Sequence, residues 1–367
     1  MDYIIKDPLR QSVEAASGGR NTVLYDALGY PNYMCVIPKF NLEDVDTGFA
    51  ETFGTGPHPA FSVMGKEKSE IFIGMYQSTF LGDGTVTGSV ATSIPGVDPL
   101  ETQILYDDAR IICGINKGPG WHMMTNWEWA AIALWCFENG TMPRGNNDFG
   151  RSYSEPHETG RIWDSSLDPG DDPGSNTWSN RVTTLTGSGP PSWRHDNTFN
   201  GIADLAGNTW EYMEGIKIED SVVYMPVDNY YGTDETLWQA VEYIYVTKAP
   251  LTGYVFYSTV APAISETTTD ICDWDKVLSA APAAHPSALK LKQAALTAGG
   301  VPMVAVPPRE GRVKGAIDAP GSGVTRIVVR GGAWYLVDAA GLLSYNFEID
   351  RATIHHYTIR PRVAFIA

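Results

Sequence analysis

The sequence predicts an α+β fold, and three features support this prediction. Short runs rich in β-branched and aromatic residues, such as 70–76 and 326–329, lie between turn-forming segments, which is typical of strands. Few stretches show helical spacing, the clearest being 106–113 and 125–139. Long segments rich in Gly, Pro, Asn and Asp, above all 140–200, predict loops that connect these elements.

The composition indicates a globular protein with a sizeable core. Of the 367 residues, 43% are hydrophobic and 11% aromatic. Because one core seldom grows beyond roughly 250–300 residues, we expect a single domain with long insertions. The formal net charge of -17 argues against binding to nucleic acid or to anionic membranes. Without a basic start before an apolar run, or any stretch of ~18 apolar residues, we expect a soluble protein with no signal peptide and no membrane insertion.

The order of these signals along the chain predicts a lead-in and one main domain. Residues 1–56 predict short strands and turns, and 57–367 form the expected domain. At its start, the β-prone runs 60–64 and 70–76 flank a turn composition at 65–68 and predict a hairpin.

A second boundary separates an insertion from this domain. Residues 228–325 differ from their surroundings in their Ala- and Pro-rich loops, and 287–298 favours a helix that ends at a glycine pair. The insertion contains no chemical motif.

The clearest helix has a predicted cap at each end. Thr125 and Glu128 have the spacing of a capping box, and Asn139 with Gly140 ends the pattern. Its aromatic stripe favours core packing over a cofactor site. Cys113 and Cys136 each lie on the apolar face of a helix, which predicts buried free thiols rather than a disulfide or a metal knuckle.

Two groups of side chains have the residue types of a metal site. Four aspartates around two Pro-Gly turns offer oxygens that suit calcium, but turn aspartates are usually solvated, and we favour the latter: Asp164, Asp168, Asp171 and Asp172. Five scattered histidines lack ligand spacing and are predicted to be structural: His58, His122, His157, His195 and His285. We therefore expect no metal and no cofactor.

The stretch 201–212 combines a turn with two acidic residues. Gly207 and Asn208 predict a turn with positive φ that leads into an aromatic strand, and 221–226 predicts the next strand. Glu211 and Glu214 could serve as paired carboxylates for acid and base chemistry. Hydrogen bonding within the framework is the interpretation we favour, so we expect no catalytic residues.

The C-terminal segment, Arg330–Ala367, begins with a glycine pair before a tryptophan. Strand 326–329 leads into it, and the β-prone run 362–366 closes it. Glycines at 331 and 332 allow a close backbone approach or unusual φ angles. Trp334 and Trp210 are expected to be buried.

Four motifs together resemble the formylglycine-generating-enzyme branch of the C-type lectin fold. They are YDDARIIC at 106–113, WEWAA at 127–131, GNTWEY at 207–212 and RGGAW at 330–334. The resemblance covers about 57–225 and 326–367. It implies a C-type lectin fold of the formylglycine-generating-enzyme-like subtype, with long loops and insertions.

Within that branch the chain resembles the variable proteins of diversity-generating retroelements. These bind ligands, and adenine-directed mutagenic reverse transcription rewrites their C-terminal lectin segment. The RGGAW motif matches the opening of their variable region, and Ala340-Gly341 stands at the expected distance. Arg360-Pro361-Arg362 departs from the family's Gly-Phe-Arg.

The resemblance implies a variable, ligand-binding surface within 330–367. The implied contact residues are Tyr335, Leu336, Asp338, Ala340, Ser344, Tyr345, Asn346, Asp350, Thr353, His355, His356 and Tyr357. Tyrosines would supply rigid contact area and the small polar side chains adaptable hydrogen bonds, as in antibody paratopes. The alternative is an ordinary lectin-fold surface loop. Because neighbouring residues on a strand face opposite ways, His355 and His356 are not expected to chelate one metal.

The resemblance leaves three functions open. The first is a non-enzymatic receptor-type protein, plausibly monomeric, whose ligand is a protein or glycan on a cell surface. The second is an oxidase like the formylglycine-generating or sulfoxide-forming iron enzymes, which use a cysteine pair or a histidine-rich iron site. The third is a phage tail or adhesin protein without diversification. No cysteine lies between Arg330 and Ala367, which favours binding.

Overall fold

The computed structural model describes residues 7–45, 53–99, 103–174, 180–219, 222–241, 244–247, 254–257, 290, 293–294, 313–314, 323–353 and 358–367. The helices are α1 (Pro8–Ser17), α2 (Leu42–Val45), α3 (Tyr106–Cys113) and α4 (Asn126–Glu138). Short 3-10 turns occupy Pro59–Phe61, Ile115–Lys117, Pro191–Trp193, Glu235–Leu237 and Val337–Ala339.

Eighteen strands are described. They are β1 (Asn21–Tyr25), β2 (Pro31–Pro38), β3 (Ser62–Val63), β4 (Lys66–Glu67), β5 (Glu70–Gly74), β6 (Thr79–Gly82), β7 (Ser89–Thr92), β8 (Trp121–Met123), β9 (Trp210–Glu219), β10 (Val222–Met225), β11 (Gln239–Ala240), β12 (Ile244–Thr247), β13 (Tyr254–Tyr257), β14 (Val313–Lys314), β15 (Thr325–Gly331), β16 (Gly341–Asp350), β17 (Ile359–Arg360) and β18 (Val363–Phe365).

The α+β class is confirmed, with mostly antiparallel sheets and few helices. One sheet has the order β1-β2-β5-β18-β8. The other has the order β11-β10-β9-β15-β16-β14, with β17 added in parallel beside β9. Three two-stranded ribbons complete the described strands: β3-β4, β6-β7 and β12-β13.

The N-terminal region belongs to the first sheet. Strands β1 and β2 pair with each other, and β2 pairs with β5, so this sheet crosses the boundary predicted at residue 56. The predicted hairpin between 60–64 and 70–76 is wrong. The short hairpin joins β3 to β4, because β5 pairs instead with β2 and β18.

Helix α4 is the central helix of the core, and its predicted cap is confirmed. The Thr125 hydroxyl accepts from the Glu128 amide at 3.1 Å, and the Glu128 carboxylate accepts from the Thr125 amide at 2.9 Å. Nearly every residue from Asn126 to Leu134 is buried, which explains why the sequence carries tryptophans on several faces of the helix.

The two sheets meet between β17 and β18. The chain leaves β17 of the second sheet, passes Pro361 and Arg362, and enters β18 of the first sheet. Arg362 is fully buried there and donates twice to the Glu211 carboxylate. It also donates to the carbonyls of Gly74 and Ala203. Glu211 therefore serves the framework, as the sequence predicted.

Only parts of the predicted insertion at 228–325 are described. The possible helix 287–298 is represented by Lys290, Gln293 and Ala294 alone, and Cys272 and His285 lie outside the described residues. Within the described part of the chain, no helix has both the length and the apolar character needed to cross a membrane.

Candidate ligand-binding site

The predicted binding segment begins at a tightly packed glycine pair. Gly331 and Gly332 have φ angles of 88° and 91°, which disfavour residues with a side chain. A Cβ on Gly331 would lie 2.8 Å from the carbonyl oxygen of Leu205, and one on Gly332 would lie 2.5 Å from the Ala340 Cβ. Both roles expected for these glycines, unusual φ and close approach, are confirmed.

Buried residues flank the part of the segment that reaches the surface. Trp334 is fully buried on one side, and Ala339 and Ala340 are buried on the other. Arg330 is also fully buried, and this burial lowers the pKa of its guanidinium to about 9. Trp210 is 8% exposed, so both tryptophans are buried as predicted.

Between these buried residues lies a partly exposed loop, 335–338. Its main chain is held by groups outside the loop. The Val337 amide donates to the Asn147 carbonyl at 2.7 Å, and the Asn147 side-chain amide donates to the Val337 carbonyl at 2.8 Å. The Phe149 amide donates to the Trp334 carbonyl at 2.9 Å. The backbone position is therefore fixed by contacts that do not use the loop's own side chains.

Five of the predicted contact residues reach solvent. Tyr335, Leu336, Asp338 and Asp350 are partly exposed, and Thr353 is exposed. Tyr335 packs edge-on against Trp334, with ring centroids 5.4 Å apart. The five residues that reach solvent form two groups: Tyr335, Leu336 and Asp338 lie before β16, and Asp350 and Thr353 lie at its C-terminal end. Ten extended residues span on the order of 30 Å, so the groups lie well apart.

Four predicted contact residues are buried, which corrects the expectation of an exposed patch. They are Ala340, Ser344, Tyr345 and Asn346, with exposed fractions of 2%, 0%, 1% and 8%. The physical reason is that β16 is an interior strand between β15 and β14 and packs against the core around α4. Tyr345 belongs to the same buried cluster as Trp129, which donates to the Leu342 carbonyl.

Tyr345 shows how this strand position encloses a side chain. Its ring stacks with that of Phe347 at 6.1 Å, and the Arg330 guanidinium lies 5.5 Å from its centroid. The nearby Ser344 hydroxyl donates to the Ala339 carbonyl. His355, His356 and Tyr357 lie outside the described residues.

The turn that follows β16 belongs to a charged network. Arg351 contacts Asp107 at 2.6 Å and Glu235 at 2.8 Å. Glu235 also accepts from Arg110, and Arg110 pairs with Glu214 at 2.8 Å. Sequence reasoning missed this network because its members lie far apart: Glu235 is 125 positions from Arg110 and 116 from Arg351.

A cleft of about 390 Å³ opens beside this network, and we call it the charged cleft. Arg110, His122 and Glu214 are its buried charged or titratable residues. The rest of its lining comes from residues 114–115, 118–121 and 231–233. The Tyr231 ring stacks on the His122 imidazole with centroids 4.0 Å apart.

The charged cleft contains a carboxyl group with an unusual proton affinity. Burial raises the pKa of Glu214 to about 7, against the opposing effect of Arg110. This group therefore exchanges a proton near neutral pH. His122 donates from Nδ1 to the Gly120 carbonyl and from Nε2 to Glu128, so it carries both protons. Although burial opposes it, the Glu128 carboxylate raises the pKa of His122.

The other aspartates and histidines considered as metal ligands form hydrogen bonds with nearby residues. Asp164 accepts from the Ser166 hydroxyl and amide, and Asp171 accepts from the Asp168 amide, as turn aspartates do. His58 accepts from the Ala60 amide in the core. Within the described ranges, no three His, Cys, Asp or Glu residues are grouped so that they could hold a metal ion.

The free thiols predicted at Cys113 and Cys136 are confirmed, and Cys35 is a third. Cys35, Cys113 and Cys136 are buried and form no disulfide. Cys113 lies on α3 and Cys136 on α4, so both occupy the helix faces that the sequence indicated.

Comparison with known proteins adds no relative. Neither protein-family models nor curated proteins show a match to this chain. Its function must therefore be inferred from its own residues.

Proposed function

We propose that this chain is a non-enzymatic, receptor-type ligand-binding protein. In this proposal it has a C-type lectin fold of the formylglycine-generating-enzyme-like subtype. A diversity-generating retroelement rewrites the exposed side chains of its C-terminal segment. The ligand is a protein or glycan on a cell surface.

One observation carries the proposal: the 335–338 loop presents partly exposed side chains on a backbone held from outside. Asn147 fixes the loop through two hydrogen bonds, and neither uses the side chain of Val337. The side chains of Tyr335, Leu336 and Asp338 can therefore change without moving the main chain. In a binding surface whose sequence changes, the contacts that hold the backbone must not depend on which side chains the surface carries.

The burial of β16 narrows the proposed contact surface. Tyr345 and Ser344 act as framework, so the main contacts come from Tyr335, Leu336 and Asp338. Tyrosine is suited to this role because its ring buries a large area at a small entropic cost. Asp350 and Thr353 form a second group beside the charged network.

The described cysteines do not favour the alternative of an oxidase. Burial raises the pKa of the Cys35 thiol to about 12, and it raises the pKa of Cys113 and of Cys136 as well. Thiolates are the reactive and metal-binding form, so these protonated thiols are poor candidates for chemistry.

Neighbouring DNA in the source genome tests the diversification. We expect a near-repeat of the codons for 330–367, differing mainly at adenines, beside a reverse transcriptase gene. The differences should fall on codons for exposed residues such as Tyr335 and Asp338, and spare Arg330 and Trp334. If no such repeat exists, diversification is excluded, and a phage tail or adhesin protein becomes the better interpretation.

A binding screen tests the ligand-binding role separately. Purified protein is screened against cell-surface fractions, and the triple variant Tyr335→Ala, Leu336→Ala, Asp338→Ala is compared with wild type. We expect at least a roughly tenfold loss of affinity, as at interface hot spots, with the melting temperature retained. Phe199→Ala is the control, since Phe199 is aromatic and 67% exposed elsewhere on the protein. Unchanged binding by the triple variant would exclude the loop as the contact site.

A further inference from the structure

A second cavity lies away from the C-terminal segment, against another face of α4. It has a volume of about 400 Å³ and lies between β2, α4 and the loop 195–200. Successive helix residues are about 100° apart, so Trp135 lies roughly 120° around α4 from Trp129. None of the described residues of 330–367 is among those that line the cavity. Trp129 is the residue that donates to the Leu342 carbonyl of β16. The cavity is therefore separate from the proposed binding loop, and we call it the aromatic cavity.

The lining of the aromatic cavity combines apolar and polar side chains. Its apolar residues include Ile37, Phe40, Ile132 and Trp135. Its polar residues come from the 195–200 loop together with Lys39 and Arg20, and Arg20 contacts Asp196 at 3.4 Å. The rings of Trp135 and His195 lie side by side, with centroids 5.6 Å apart. Most small-molecule sites combine apolar walls with a few polar groups in this way.

His195 supplies a hydrogen-bond donor to the cavity. Its Nδ1 accepts from the Ile202 amide at 2.8 Å, so the ring proton of the neutral imidazole is on Nε2. Burial lowers the pKa of His195 to about 4, which keeps the ring neutral at pH 7. His195 is only 7% exposed, and no described group accepts from Nε2. Nε2 is not fully enclosed, and His195 is one of the residues that line the cavity.

The nearby carboxylate of Asp196 already has hydrogen-bond donors within the protein. Asp196 accepts from the Thr198 amide and hydroxyl and contacts Arg20. The polar group left for a ligand is thus a donor. A ligand that brings an acceptor oxygen can accept from it, whereas an ammonium group would face a donor.

We propose that the aromatic cavity binds a compact aromatic molecule that carries a hydrogen-bond-accepting oxygen. The ring system lies between Phe40 and Trp135, and the oxygen accepts from the Nε2–H of His195. This site is independent of the proposed function of the C-terminal segment.

Ligand-observed NMR with matched probes tests the proposal on the full chain. The probes are 2-naphthamide, 2-naphthoate, 2-naphthylmethylamine and naphthalene. We expect the amide to bind more tightly than naphthalene and the amine, and the naphthoate comparison shows whether Arg20 adds affinity for a charged oxygen. Absence of binding by the amide, or tighter binding of the amine, would overturn the proposal.

Two variants locate the site. Ile37→Trp fills the cavity from a partly exposed position on the face of β2 that packs toward α4, so it should abolish amide binding without preventing folding. His195→Met removes the donor and should weaken amide binding by roughly tenfold, the effect of one hydrogen bond, while naphthalene binding is retained. His195→Gln keeps a donor and an acceptor and serves as the matched control. Amide binding that survives Ile37→Trp would place the site elsewhere and refute the assignment, even if His195→Met does not fold.

Discussion

At the scale of single residues, the interior holds many ionisable groups whose protonation is set by burial and by one neighbour. Lys117 contacts Asp26 at 2.8 Å with both side chains fully buried. Burial lowers the pKa of His58 to about 4, so this histidine is neutral in the folded protein. Glu214 behaves oppositely, because burial raises its pKa to about 7. Stability should therefore depend on pH through these few groups.

The first prediction concerns Glu214. Its folded-state pKa of about 7 exceeds its ordinary value of 4.5, so the folded state binds the proton more tightly. The stability it contributes is present below pH 4.5 and is lost as the pH rises to 7, by on the order of 3 kcal/mol. In Glu214→Gln this loss should disappear. The free energy of unfolding from urea titrations at pH 4.5, 6 and 7.5 measures the difference between wild type and variant.

Comparing the variant with wild type at each pH removes the contribution of groups that do not interact with Glu214. His58 acts in the opposite direction, because its lowered pKa gives stability that is lost as the pH falls from 6.5 towards 4. That contribution is common to both proteins and cancels. A difference between wild type and Glu214→Gln that stays constant from pH 4.5 to 7.5 would contradict the prediction.

At the scale of elements, helix α4 is specified by local sequence and β16 is not. The Thr125–Glu128 cap involves residues three positions apart, so its spacing alone identified the start of the helix. Strand β16 pairs with the distant residues Val313 and Lys314, and Tyr345 packs in the same buried cluster as Trp129 of α4. Pairing of that kind joins distant parts of the chain and leaves no periodic signal in β16, so a patch rich in tyrosine was interpreted as exposed.

The cap of α4 gives the second prediction. Thr125→Ala removes the oxygen that accepts from the Glu128 amide and donates to Asn229, and should cost about 1–2 kcal/mol of unfolding free energy. Thr125→Ser keeps the hydroxyl and should cost less than half as much. Equal losses in the two variants, measured by thermal unfolding, would mean that packing of the methyl group outweighs the cap.

Tyr335 and Tyr345 of the C-terminal segment give the third prediction. Tyr345→Ala removes a buried ring and should cost about 3–5 kcal/mol, whereas Tyr335→Ala should cost less than about 1 kcal/mol. Tyr335→Ala should weaken ligand binding more than Tyr345→Ala does, because Tyr335 reaches solvent and Tyr345 does not. Urea unfolding measures the loss of stability in the two variants, and the binding screen measures their loss of affinity. A Tyr335→Ala variant that unfolds as easily as Tyr345→Ala would show that the loop is core.

At the scale of the whole molecule, the two sheets are joined through a buried ion pair. Arg362 links Glu211 of β9 to the carbonyl of Gly74 at the end of β5. The sequence predicted a framework role for Glu211 but not its partner, which is 151 positions away. The α+β class and several strands, among them β5, β10, β15 and β18, followed from local patterns, while the other strands and the order of strands in each sheet did not.

The fourth prediction tests this junction. Arg362→Met leaves the Glu211 carboxylate buried without its cation and should cost about 3–5 kcal/mol. The double variant Glu211→Gln, Arg362→Met removes the uncompensated charge and should recover part of that loss. Unfolding free energies of the single and double variants at pH 7 measure the recovery. A double variant that is less stable than Arg362→Met would contradict this account of the pair.

Strand β18 lies between β5 and β8, although it comes later in the chain than either. During synthesis roughly 240 residues separate β8 from β18, so at ~5–20 residues per second the ribosome takes roughly 10–50 s to deliver the missing strand. Until then β5 and β8 each present an open edge, which other nascent chains can pair with. Aggregation of nascent chains, rather than the stability of the finished fold, should therefore limit the yield of this protein. Slower initiation of translation spaces the nascent chains on each messenger RNA and should raise the folded fraction.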